Sequence, residues 1–157
     1  MSIDYIVSSL PTLSFDAPAP MSWESFVERT GDLFGDPDHS ATGRAWTDLE
    51  TQLRNALVEA RGGAERFRRP AEGCSLFWRN RILACFQEKD VAKREELIDR
   101  VWWDAAGELT SPTAPLGKGA LATYAVRLKI ALKRTAVSTE AGNAVFDRLT
   151  AETKVSF

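Results

Sequence analysis

The stretch AWTDLETQLRNALVEARGG, residues 45–63, decides how the chain reads. Trp46, Leu49, Leu53 and Leu57 recur at spacings of three and four, with Ala45, Ala56 and Ala60 on the same side. That is the stripe an amphipathic helix turns toward a core. Gly62 and Gly63 follow, and glycine closes a helix without steric cost because it accepts the left-handed conformation.

Working outward, the same helical period returns in most of the chain. Upstream, Ser22 reads as an N-cap, with Met21 before it and Phe26 placed to form a hydrophobic staple. That helix ends near Thr30 and Gly31, and GDPDHS, residues 35–40, reads as a loop. Residues 1–20 carry Pro11, Pro18 and Pro20 and read as an irregular arm. Within it the alternation of Ile3, Tyr5 and Val7 fits a helical turn or an extended segment equally. Downstream, a third helix is predicted over 75–89, with Phe77, Trp78, Ile82, Leu83 and Phe86 as its apolar side. Asp90 caps a fourth, running to about Leu109. On it Val91, Leu97, Ile98, Val101, Trp102, Ala105 and Leu109 share one face and Trp103 points away. TSPTAPLG, residues 110–117, is a loop. A fifth helix spans about 118–136, stacking Leu121, Tyr124, Ala125, Leu128, Ala131 and Leu132. Ser138 or Thr139 then caps a last helix carrying Ala144, Val145, Phe146 and Leu149. Strand alternation and internal repeats do not recur. The expectation is an all-α, single-domain bundle of five or six helices over 21–153, with Trp46, Leu49, Leu53, Leu57, Leu97, Val101, Leu121 and Leu128 buried.

Composition supports a packed core: 157 residues, 44% of them hydrophobic, with five Trp and eight Phe. A chain of this length and apolar content excludes a disordered or collagen-like protein. Cys74 and Cys85 are too few for a disulfide framework. An acid, Asp4, stands where a signal peptide carries positive charge, and the apolar run GALATYAV, residues 119–126, is too short to cross a bilayer. The protein is therefore expected in the cytoplasm, reaching the inner membrane only through a complex. Charge is uneven. Residues 1–60 hold ten acids and three arginines, a net −7; residues 61–157 hold twelve acids and seventeen bases, a net +5.

Catalytic chemistry finds no constellation. His39 is the single histidine, beside Asp36 and Asp38, and a metal site wants more nitrogen or sulfur ligands at set spacing. Gly117-Lys118-Gly119 resembles a phosphate loop only superficially: the motif requires glycine where Pro112 stands and a hydroxyl where Gly119 stands. No catalytic residue, cofactor or metal is expected. The six arginines between Arg61 and Arg81, interleaved with Phe67, Phe77 and Trp78, leave open a stand-alone adaptor or a nucleic-acid-associated protein. Against direct nucleic-acid binding stand the net charge of −2 and Glu65 and Glu72 within the stretch.

Several segments together resemble a known family. The opening DYIVSSLPTLSFDAPAPMSWESFVE, then LRNALVEAR at 53–61, AKREELIDRVWWDAAGELT at 92–110, ALATYAVRLKIALKR at 120–134 and EAGNAVFDRL at 140–149 match it in order and spacing. It is a bacterial family of uncharacterised proteins encoded within V-type (A-type) ATP synthase operons. The resemblance implies an all-α, non-catalytic protein similar to the helical connector of the V-type ATPase, which links central stalk and membrane ring. Its implied partners are the other components of that ATPase, with no membrane insertion of its own.

Two features nominate a docking surface. Trp103 is expected as an exposed anchor, since interface hot spots favour tryptophan. On the helix at 118–136, Val126 and Ile130 lie among Arg127, Lys129, Lys133 and Arg134, a mixed cationic and apolar stripe suited to an acidic, partly apolar partner.

Overall fold

The computed structural model describes residues 2–31 and 41–155, with side chains described for 2–31 and 42–138. Among them are six α-helices and no strand: α1 Ile3–Ser9, α2 Trp23–Thr30, α3 Ala41–Ala60, α4 Leu76–Cys85, α5 Val91–Ala106 and α6 Lys118–Val155. The all-α bundle is as the hydrophobic period requires. Predicted loop residues 35–40, His39 included, lie outside the described residues.

Of the two conformations open to Ile3–Val7, the chain takes the helical one. α1 buries Ile6 and stops at Leu10, which is extended because Pro11 follows it. Residues 10–20 then run irregularly across α6. Ser22 caps α2, its hydroxyl accepting from the Ser25 backbone N–H, and Gly31 ends the helix at φ 52°. α3 holds the predicted stripe and ends before Gly62, at φ 72°. Leu49 and Leu53 are buried; Trp46 and Leu57 are only half-buried at the margin of that core.

The chain from α3 to α4 does not turn tightly. Residues 64–75 run back along the polar side of α3 as a strap, held by three of its side chains. Asn55 exchanges two hydrogen bonds with the Arg69 backbone (2.7 and 2.8 Å), and the Asp48 carboxylate accepts from the Glu72 and Gly73 amides (2.5 and 3.1 Å). Gln52 accepts from the Ser75 amide at 2.8 Å. Burial pushes the Asp48 carboxyl up, but the bonds from Gln52, Glu72 and Gly73 outweigh it and hold it below its ordinary value. Because the strap returns, α4 runs parallel to α3, as the Gln52–Ser75, Glu59–Arg79 and Arg61–Phe86 contacts show. α5 runs back and α6 forward again, with Arg81 paired to Asp104 at 2.9 Å and Lys133 to Asp99 at 2.7 Å.

Four expectations are corrected. The third helix ends at Cys85 rather than 89, because its last amides turn to carbonyls three residues back and Arg94 takes the Glu88 carbonyl. Phe77, expected on its apolar side, is exposed. α5 buries a wide arc, about 200° at 100° per residue, so a single stripe is too narrow a description. Ile98, Val101 and Ala105 face α3 and α4 while Trp103 and Ala106 are also covered. Leu97, at the open edge of that arc, is 44% exposed, and Val91 at the first turn is 65% exposed. Finally, no cap interrupts the last helix. Thr135 Oγ1 bonds back to the Ala131 carbonyl (2.8 Å), and α6 continues for 38 residues, about 57 Å, through 144–149.

More than one core results. One lies among α3, α4 and α5 around Leu53, Ile82 and Val101. Another lies where the first 26 residues meet α6, around Leu10, Phe26, Leu121 and Leu128. No helix among the described residues is long and apolar enough to cross a membrane.

Candidate functional site

The docking stripe predicted on α6 divides between two environments. Arg134 and Trp103 meet the irregular arm, while Arg127 turns onto the C-terminal part of α5. Trp103 is 6% exposed, so the exposed anchor expected there is corrected: Phe15 meets it edge-on, ring centroids 5.6 Å apart. The Arg127 guanidinium lies over the Trp103 ring and its Nε donates to the Trp103 carbonyl at 3.0 Å. Burial lowers the pKa of Arg127, with Asp104 opposing and Arg100 adding to the shift. Arg134 stacks 3.8 Å from the Phe15 ring centroid and pairs with Glu96 at 3.5 Å. Trp103 and Arg134 hold the arm down through Phe15, and Arg127 braces Trp103 from the other side of the contact. Arm residues come from more than 80 positions away, so helical geometry around Trp103 alone does not reveal them.

Val126, Lys129, Ile130 and Lys133 border the other environment, an open groove of about 870 Å³. One wall is α3, from Gly43 to Arg61; the other is α6, from Lys118 to Lys133. α5 closes the bottom with Ile98 and Trp102, and Trp23 of α2 stands at the side. Ile130 is itself buried and packs with Phe15 and Trp103, so it supports the groove more than it presents to it. Trp23, Trp46 and Trp102 are half-buried along the groove.

Charge at the groove is partly spent. Arg54 pairs with Glu50 at 2.8 Å, and Lys133 pairs with Asp99. Lys129 instead sits 4.5 Å from the Trp23 ring centroid, and Arg61 lies over Phe86. Arg61, Lys118 and Lys129 have no carboxylate within ion-pair distance among the described residues. Sequence reading misses the α3 wall, because Arg54, Val58 and Arg61 flank the apolar stripe and look like solvated surface. A helix period marks which face is covered; it does not say that a second helix stands across a gap.

The Arg61–Arg81 stretch is less cationic in space than in sequence. Arg79 makes a two-pronged bond to Glu59, and Arg81 pairs with Asp104 while lying over Trp78. Hydrogen bonding to Arg79 holds the Glu59 carboxyl below its ordinary value. Arg66 covers the exposed Phe67 ring at 4.9 Å.

The other perturbed groups are likewise used by the fold. Burial raises the Cys85 thiol, which donates to the Arg81 carbonyl at 3.2 Å. Burial raises the Tyr124 phenol too, and its hydroxyl donates to the Pro11 carbonyl at 2.6 Å. Among the described residues no three acids, histidines or cysteines gather as a metal site. Comparison of the chain with protein-family models, curated proteins and solved structures finds no match.

Proposed function

We propose that this chain is a non-catalytic helical protein that works by holding partner proteins, as an accessory of a V-type ATPase akin to its stalk-to-ring connector. The observation that carries the interaction reading is the groove between α3 and α6, apolar at its floor and lined by three half-buried tryptophans. Tryptophan in a concave apolar setting is the residue type that dominates binding energy at protein interfaces. The non-catalytic reading is supported by where the perturbed groups are spent: Asp48 on the strap, Arg127 on Trp103, Cys85 and Tyr124 on backbone carbonyls. The ATPase enters through the resemblance of the five quoted segments. Its demand for a stiff body that carries force suits close-packed helical cores.

The test is co-purification. The tagged chain is recovered from native membranes in mild detergent and the bound proteins are identified by mass spectrometry. Stalk and ring components of the ATPase, enriched over an untagged control, are the expected result. Recovery of the chain with other proteins and without ATPase components rejects the ATPase assignment. Recovery of the chain alone rejects the interaction role as well.

A further inference from the structure

We propose that the groove between α3 and α6 receives one amphipathic helix of a partner protein, about four turns long, with carboxylates flanking its apolar stripe. This rests on the interaction role proposed above and names the chemistry of what binds.

The length comes from the walls. Along α6 the groove runs from Lys118 to Lys133, about 22 Å at 1.5 Å per residue, and along α3 from Gly43 to Arg61, about 27 Å. The two walls are parallel helices, so the gap between them is a trough into which a third helix packs ridge into groove. A β-strand has nothing to pair with here, because both walls spend their backbone groups internally. Small residues, Ala122 and Ala125 on α6 and Thr47 on α3, leave room for close approach, while Trp46, Trp102 and Val126 offer apolar surface.

The sign of the charge follows from pairing. Glu50 and Asp99 are already neutralised by Arg54 and Lys133. What faces an occupant is Arg61, Lys118 and Lys129 against Glu95. Lys118 lies at one end of the trough and Arg61 and Lys129 at the other, so the occupant's carboxylates belong near both ends of its stripe. A nucleic-acid backbone suits the site poorly, since it carries a charge at every phosphate while the trough is apolar along its middle and offers three such cations, with Glu95 among them. A membrane surface suits it poorly because the apolar residues line a concavity.

The experiment uses the full chain in its host cell with a photo-crosslinker, p-benzoylphenylalanine, at one position at a time. Ala122→p-benzoylphenylalanine probes the α6 wall and Thr47→p-benzoylphenylalanine the α3 wall. Leu76, exposed on α4 and outside the groove, is the control. Two walls are probed so that a folding defect at one leaves the other informative. Crosslinked peptides from both walls are expected to map to one partner segment with a helical apolar period and Asp or Glu beside it. Lys118→Glu with Lys129→Glu is expected to lower that yield about tenfold with the melting temperature unchanged, as rim charges act on encounter. Lys133 is left intact because it holds Asp99. Crosslinks to a basic or non-helical segment, to nucleic acid, to lipid or to a second copy of this chain overturn the proposal. Partner crosslinks at Leu76 alone overturn it and leave the interaction role standing, whereas no crosslink at any position overturns both.

Discussion

Gly119 is the residue where a small change tests the fold most sharply. It stands in the first turn of α6, where replacing glycine by alanine gains at most about 1 kcal/mol of helix propensity. Here the added Cβ meets the Leu109 carbonyl oxygen at 2.0 Å and the Leu109 carbonyl carbon at 3.1 Å. Backbone cannot rotate aside as a side chain does, so the turn Gly107–Leu109 and the start of α6 must separate by about 1.5 Å to reach ordinary contact. That turn is tied down: Thr110 Oγ1 bonds Thr123 Oγ1 at 2.8 Å, and Thr123 Oγ1 donates to the Ala106 carbonyl at 2.8 Å. Losing both bonds costs about 1–3 kcal/mol, and overpacking a further 1–3 kcal/mol. The net expectation for Gly119→Ala is a loss of about 1–5 kcal/mol, after the propensity gain is subtracted. Urea unfolding followed by circular dichroism reads it directly. Unchanged or increased stability refutes the close approach of α6 to the Leu109 backbone.

Other outcomes follow from the packing. Leu53→Ala, at a fully buried position between α3, α4 and α5, is expected to cost about 2–5 kcal/mol in the same assay; a loss below about 0.5 kcal/mol contradicts the core. Trp103→Ala is expected to cost about 3–5 kcal/mol. In a double-mutant cycle with Phe15→Ala the two should couple by about 0.5–1.5 kcal/mol, and strict additivity removes the arm from the Trp103 face. Asp48 holds the strap in its ionised form, with its pKa depressed, so its contribution is present at neutral pH and is lost as pH falls below the ordinary aspartate value. Asp48→Asn should flatten the wild-type loss of stability in that acidic range; an unchanged pH profile contradicts the strap contacts.

What the sequence reveals and what it hides follow from range. The caps at Ser22 and Asp90 and the stop at Gly62 are local chemistry, readable within four residues. The stripe of Leu49 and Leu53 is readable because one face of α3 is covered. A one-stripe reading misplaces Trp103 because α5 is covered from two sides, and the second cover comes from Phe15. The break expected at Ser138 or Thr139 follows a cap preference, but hydroxyl residues in helices can bond backward, as Thr135 does. Half of the groove is legible as the cationic stripe on α6. Its other wall is not, since the parallel course of α3 and α6 depends on the strap turning the chain back.

That the arm packs on α6 fixes the order in which the protein can complete itself during synthesis. The Ala19 amide bonds Thr135 Oγ1, and the Arg134 Nε donates to the Phe15 carbonyl, across 116 and 119 positions. At about 5–20 residues per second, a ribosome needs roughly 6–23 s to make the intervening chain. Over that interval α3, α4 and α5 can close their own core, but Leu10, Phe15 and Phe26 have no α6 to lie against. The residues that leave the ribosome early are thus buried late. Holding such apolar segments until their partner emerges is the task of chaperones that meet nascent chains.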